Sequence, residues 1–270
     1  MTAKRNIKQL VVLCGIALAL SGATFAQSPA TSAPDAKSAA GNSASPPTAE
    51  QILDRYVKAI GGADAWEKLN TRISTGTIDV PSWNLTGLVV VKEKAPNFGV
   101  FTVNFNGAVF QQGFDGTIGW DADPQNGVRE QSGDELQETK RGSDFYHPLD
   151  LRKIYSKITA AGAEKIDGRD AYAIEASAGD LPADKIYFDA ENGLVIRIVG
   201  KHYTQEGRVD FTEDFSDFRE VDGIKLPYTI HQESPSSTFT IKFTEIRHNE
   251  PIENSVFSKP ESPHVVDQAK

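Results

Sequence analysis

Between residues 73 and 131, apolar and polar positions alternate with a period of two, in short runs interrupted by Gly, Pro, Asn and Asp. That spacing sends successive side chains to opposite faces of a strand. It predicts strands over 73–80, 85–94, 99–105, 108–114, 117–121 and 128–131, broken at Pro81, Pro96, Gly107, Asp115-Gly116 and Pro124. The stretch Leu88-Val89-Val90-Val91 is apolar on both faces, which predicts cover on each side of that strand. Ahead of the strands, Ile52, Leu53, Tyr56, Val57 and Ile60 follow helical spacing, with Thr48 and Gln51 as a capping box and Gly61-Gly62 as the stop. A second helical turn over 63–69 carries Trp66 and Leu69.

From Gly133 to Tyr155 the alternation is lost and the chain reads as two short helical pieces divided near Gly142 and Pro148. Their apolar residues are Leu136, Phe145, Leu149, Leu151 and Ile154. An insertion placed between two runs of strands is positioned to cover the sheet as a lid, or to fill one of its open ends. Strands resume over 156–166, turn at Asp167-Gly168 and continue through 171–176. Ile186 and Phe188 then alternate with Lys185 and Tyr187, and Leu194, Ile196 and Ile198 with Val195, Arg197 and Val199. Asn192-Gly193 between them predicts a tight hairpin with positive φ at both positions. Further turns at 205–207 and at Asp222-Gly223, and a last strand over 238–246, bring the count to about a dozen. So many antiparallel strands curl. The expected class is α+β: a curved antiparallel sheet forming an incomplete β-barrel, with an N-terminal helix and a helical lid insertion.

The ends of the chain carry a different signal. Lys4, Arg5 and Lys8 precede an apolar run from Leu10 to Leu20, and Thr24 and Ala26 occupy the small-residue positions of a cleavage site. Residues 1–26 are therefore expected to be a cleaved signal peptide. Residues 27–47, almost wholly Ser, Ala, Pro and Gly, cannot bury enough apolar surface to order and read as a disordered spacer. One domain is expected over 48–263, with a disordered tail over 264–270. Cys14, the one cysteine, lies inside the leader, so the exported chain has no disulfide or thiol chemistry. Losing the leader, with its three basic and no acidic residues, takes the formal charge from −9 to −12. That charge argues against nucleic acid and against anionic membrane surfaces.

The chemistry expected from the residues is sparse. His147, His202, His231, His248 and His264 are scattered, without the spacing of a metal site, and no nucleophile or phosphate-loop motif is present. Neither a catalytic residue, a metal nor a cofactor is expected. Glu213, Asp214 and Asp217 form the densest carboxylate group; on a regular strand Glu213 and Asp217 share a face, as an acid/base pair or calcium site requires. His202 and His231 are placed to meet if their strands are neighbours.

The order of the structural motifs resembles a family. A helix ending in Gly61-Gly62, the turn Trp66-Glu67-Lys68-Leu69, the run Asp115-Gly116-Thr117-Ile118-Gly119-Trp120, a helical insertion, Ile186-Tyr187-Phe188-Asp189 with Asn192-Gly193-Leu194, and Phe218 to Pro227 follow one another. With the closing segment Asn249 to Pro260, this resembles the outer-membrane lipoprotein-sorting (LolA/LolB-like) superfamily. The resemblance implies an unclosed barrel whose apolar concavity holds acyl chains under a helical lid. Without a lipid-attachment cysteine it implies the soluble periplasmic branch. The partner implied is a lipid or acylated lipoprotein, with an envelope protein as a further possible partner, for a monomer that does not insert stably into the membrane. Candidate cavity residues are Val89, Val91, Phe101, Val103, Phe105, Phe110, Trp120, Ile186, Phe188, Ile196 and Ile198, with Leu136, Phe145, Leu149 and Leu151 in the lid. The alternative function on the same fold is a periplasmic sensor or protein-interaction domain; a hydrolase using Glu213 and Asp217 ranks last.

Overall fold

A computed structural model describes residues 46–179, 183–204 and 207–263. Helices α1 (Ala49–Ala59) and α2 (Ala63–Trp66) lead into strands β1 (Thr71–Val80), β2 (Leu85–Lys94), β3 (Phe98–Phe105), β4 (Ala108–Asp115), β5 (Gly119–Asp123) and β6 (Gly127–Glu130). Helices α3 (Gly133–Gly142) and α4 (Leu151–Ile154) form the insertion. The second run comprises β7 (Lys157–Ile166), β8 (Arg169–Ser177), β9 (Asp184–Asp189), β10 (Val195–Thr204), β11 (Gly207–Val221), β12 (Ile224–Ser234) and β13 (Ser237–His248). The predicted leader, the spacer up to residue 45, the tail, His264 and most of the 205–207 turn lie outside the described residues, within which no helix is long and apolar enough to cross a membrane.

All thirteen strands form one antiparallel sheet, in the order β6-β5-β4-β3-β2-β1-β13-β12-β11-β10-β9-β8-β7. Each run is a plain meander, and the two join where β1 pairs with β13. Strands β6 and β7, consecutive in sequence, are therefore the two opposite edges. The sheet is not closed, and the insertion is the connection that carries the chain from one edge to the other. This topology explains why α3 packs on both halves, against β4 and β5 and against β10. The Thr48–Gln51 capping box is formed in full, and Ile52, Leu53 and Tyr56 of the first helix, with Ile60 at its C-cap, are buried in the inner core with Trp66.

Three of the hairpin turns follow from their dipeptides. Asn106-Gly107, Asp167-Gly168 and Asp222-Gly223 have positive φ at both positions, as a two-residue turn matching strand twist requires. The Asn192-Gly193 hairpin differs from its expectation, because only Gly193 is in the left-handed region, at φ 79°. There the Asp189 carboxylate accepts the Glu191 and Asn192 N–H groups at 2.8 and 3.0 Å, and the strands close through Asp189 N–H to Leu194 O at 2.8 Å. The aspartate side chain thus organises a longer loop in which Asn192 needs no strained φ.

The helix-covered inner face holds the main core; two small clusters sit on the outer face. The expectation that both faces of β2 are covered fails at Leu88, which is 62% exposed. What outer cover there is comes from the C-terminal turn Asn254–Phe257, not from the insertion. Phe257 packs with Val100, Trp120 and Ala122 and receives the Trp120 Nε1–H on its carbonyl at 2.8 Å.

Candidate functional site

Between the insertion, the N-terminal helices and the inner face of the sheet lies a cavity of about 140 Å³. Tyr56, Ile60 and Trp66 form its helical wall, Pro148 and Leu151 its insertion wall, and Val91, Val195, Ile198, Phe215, Leu226, Ile230, Phe243 and Ile246 much of its sheet wall. The volume matches an apolar void that takes up benzene. It admits a ring-sized apolar group as it stands, and an extended acyl chain requires the insertion to move outward. A smaller cavity of about 60 Å³ under α3 adjoins it, sharing Val91 and Glu93. On the outer face, a groove beside the C-terminal turn is larger, but Lys92, Thr102, Gln111, Lys259 and Glu261 line it, which suits an acyl chain poorly.

One cation joins the three walls. Arg72 on β1 donates through Nε and Nη2 to both oxygens of Glu93 on β2, each at 2.6 Å. Its guanidinium carbon lies 5.8 Å from the Trp66 ring and 5.6 Å from the Phe145 ring, within cation–π range of both. The Tyr56 phenol, edge-on to Phe188 at 5.4 Å, has its pKa pushed up by burial, with the Arg72 charge pulling against that shift.

A second anchor holds α3 to the other half of the sheet. Glu138 Oε1 lies 2.6 Å from His202 Nδ1, and Oε2 accepts the Tyr203 N–H at 2.7 Å. Burial opposes the charged imidazole, but the Glu138 carboxylate, with Glu213 and Gln232 facing the ring, outweighs it and raises the His202 pKa. Burial pushes the Glu213 carboxyl up to about 7 despite the nearby His202. At the sheet's β6 edge, Arg129 pairs with Asp121 and with Glu135, while burial takes Asp121 up to about 6 against the pull of Arg129.

The residues expected to share one face do not all do so. Val89, Val91, Phe101, Val103, Phe105, Phe110, Ile186, Phe188 and Ile198 lie in the inner core, but of these only Val91 and Ile198 line the larger cavity, and Val91 and Phe101 the smaller. Trp120 is on the outer face, because Phe114 pairs with Gly119 and Trp120 with Gly113. Gly113 makes room for the indole: a Cβ there would lie 2.3 Å from the ring. Ile196 is also turned outward. The ladder pairs Val195 with Phe188 and Arg197 with Tyr187, so a bulge between them sends Ile196 into the outer cluster with Ala171, Ala173 and Tyr187. In the insertion, Phe145 and Leu151 are in the inner core, Leu149 packs half-buried against it, and Leu136 sits over Gly119.

The proposed meetings of polar residues do not form. Asp217 leaves extended geometry, at φ 53°, and pairs with Arg219 at 2.6 Å; Asp214 pairs with Arg197 on the face opposite Glu213. His231 bonds Thr240 at 2.8 Å, and β11 separates its strand from that of His202. Among the described residues no group of three His, Cys, Asp or Glu is placed to hold a metal ion. Arg72 escaped sequence reasoning although it left a signal: it shares parity with the buried Ile78 and Val80 on β1, and a charge at a core-parity position calls for a partner.

No family model and no curated protein matches the chain. Solved structures do. A DUF1329 family protein from Desulfovibrio piger aligns over 78% of this chain and 97% of its own, at 17% identity and a TM-score of 0.53. A domain from Vibrio parahaemolyticus, named for outer-membrane lipoprotein sorting, aligns over 78% and 95%, at 13% identity and 0.52. A LolA superfamily protein from Nitrosomonas europaea aligns over 78% and 98%, at 14% identity and 0.51. The incomplete barrel with its helical insertion is thus a LolA-like fold, carried here by a sequence far from those that share it.

Proposed function

We propose that the protein is a periplasmic carrier or chaperone that holds the acyl chains of a lipid or lipoprotein in the inner cavity and performs no chemistry on them. The observation that carries this reading is the apolar cavity roofed by an insertion that spans the two open edges of the sheet. The shared fold with a domain named for lipoprotein sorting supports it, as does the leader-like sequence over 1–26. The dispersal of Glu213, Asp214 and Asp217 onto separate partners supports binding without catalysis.

Native mass spectrometry of protein purified from a bacterial periplasm without detergent tests the proposal. A discrete added mass that disappears on organic extraction and fragments as phospholipid or acylated peptide is expected. A clean protein mass, with no uptake when lipid and lipoprotein are offered, overturns the carrier and favours a protein-interaction domain.

A further inference from the structure

Two polar side chains of the insertion reach inward without meeting a partner. Nε and Nη2 of Arg141 are fully enclosed and neither makes a hydrogen bond among the described residues; the same holds for Nε2 of His147, a residue 4% exposed. Nε and Nη2 form the guanidinium edge that pairs side-on with two oxygens of a carboxylate or phosphate. Two successive turns, Asp144 N–H to Arg141 O at 3.2 Å and His147 N–H to Asp144 O at 3.0 Å, carry the chain from one residue to the other. Burial pushes the His147 pKa down to about 4, and the Arg141 charge adds to that effect, with Asp150 opposing it. Tyr155, which also feels Arg141, donates instead to Asp184 Oδ2 at 3.3 Å.

An enclosed guanidinium edge with no acceptor is costly, because burial strips its water and nothing replaces it. A ligand that brings two oxygens removes that cost. The neighbours of both residues border the cavities already described: Gly142 and Ser143 line the smaller one, Pro148 and Leu151 the larger, and the two adjoin at Val91 and Glu93. We propose that Arg141 and His147 form an anion-binding site that takes the phosphate or carboxylate of the ligand whose apolar part occupies the inner cavity. The inference rests on the carrier reading and narrows it to anionic cargo. Arg141 supplies the bidentate charge, and neutral His147, in its Nε2–H tautomer, supplies one further donor.

The test is a titration of the full chain, labelled at histidine, followed by the His147 ring signals in NMR. The probes are inorganic phosphate, dihexanoyl phosphatidylglycerol and uncharged dihexanoylglycerol. Phosphatidylglycerol is expected to shift the His147 ring to saturation, and Arg141→Gln to weaken its binding on the order of tenfold to a hundredfold while leaving dihexanoylglycerol uptake unchanged. Arg141→Gln is also expected to raise the Tm of the unliganded protein, since it removes a half-buried charge whose enclosed Nε and Nη2 lack acceptors; a fall in Tm means Arg141 is structural and overturns the site. Phosphate alone binding as tightly as phosphatidylglycerol assigns the site to a free anion and overturns its link to cargo. Equal binding of the charged and uncharged lipids also sinks the site but leaves the carrier standing. Failure of every lipid, with phosphate still inert, removes both.

Discussion

The Glu138 carboxylate of α3 closes two buried contacts on β10 at once, 2.6 Å to His202 Nδ1 and 2.7 Å to the Tyr203 backbone nitrogen. One residue of the insertion thus fixes the insertion's position over the half of the sheet it does not leave from. Glu138→Ala is expected to cost about 2–4 kcal/mol, since it strands a buried imidazole and removes an amide's acceptor. Chemical denaturation gives the loss, and hydrogen exchange is expected to rise first across residues 133–142. Glu138→Gln, which keeps an acceptor for Tyr203, is expected to retain part of the stability.

The same anchor sets a pH dependence. The His202 pKa is raised by folding, so its contribution is complete below about 6.5 and is lost as pH rises through the folded value. Glu213, raised to about 7, holds its proton in the folded state after the unfolded chain has lost it, so stability also falls as pH rises between about 4.5 and 7. Glu213→Gln removes the second effect. Its Tm relative to the native protein is expected to climb across that interval, by an amount corresponding to roughly 3 kcal/mol at most. A flat difference between the two Tm curves refutes this.

Arg72 and Glu93 form a largely buried pair beside Trp66 and Phe145. Arg72→Ala leaves Glu93 unpaired against the cavity and is expected to cost about 3–5 kcal/mol, whereas Arg72→Ala with Glu93→Ala costs less than the single change. A double-mutant cycle by urea unfolding measures the coupling. Additive single costs would show that the pair contributes no specific interaction.

Filling the cavity should separate binding from folding. Leu226 lines it from β12, and Leu226→Trp is expected to occupy much of the roughly 140 Å³. The predicted result is loss of lipid uptake by more than about tenfold at a stability cost of about 1–3 kcal/mol. Uptake by native mass spectrometry and Tm by circular dichroism read the two effects separately. Undiminished uptake places the acyl chains elsewhere.

The sequence by itself determined the elements and their class. Period-two alternation, Asn-Gly and Asp-Gly turns and the Thr48–Gln51 cap are local signals, set by backbone geometry within a few residues, and the strands, insertion and capped helix lie where those signals put them. Which face each strand turns inward was decided by the tertiary structure, because parity depends on pairing. The turn after Phe114 and the bulge before Arg197 each reverse it, taking Trp120 and Ile196 to the outer face. The sheet order was equally illegible. Pairing β1 with β13 makes β6 and β7 the edges, and only then must the insertion cross the sheet and roof a cavity. Glu138 meets His202 across 64 residues through that crossing, whereas Arg72 meets Glu93 through the register of the β1–β2 ladder. Spacing along the chain carries no record of contacts made across a curved sheet.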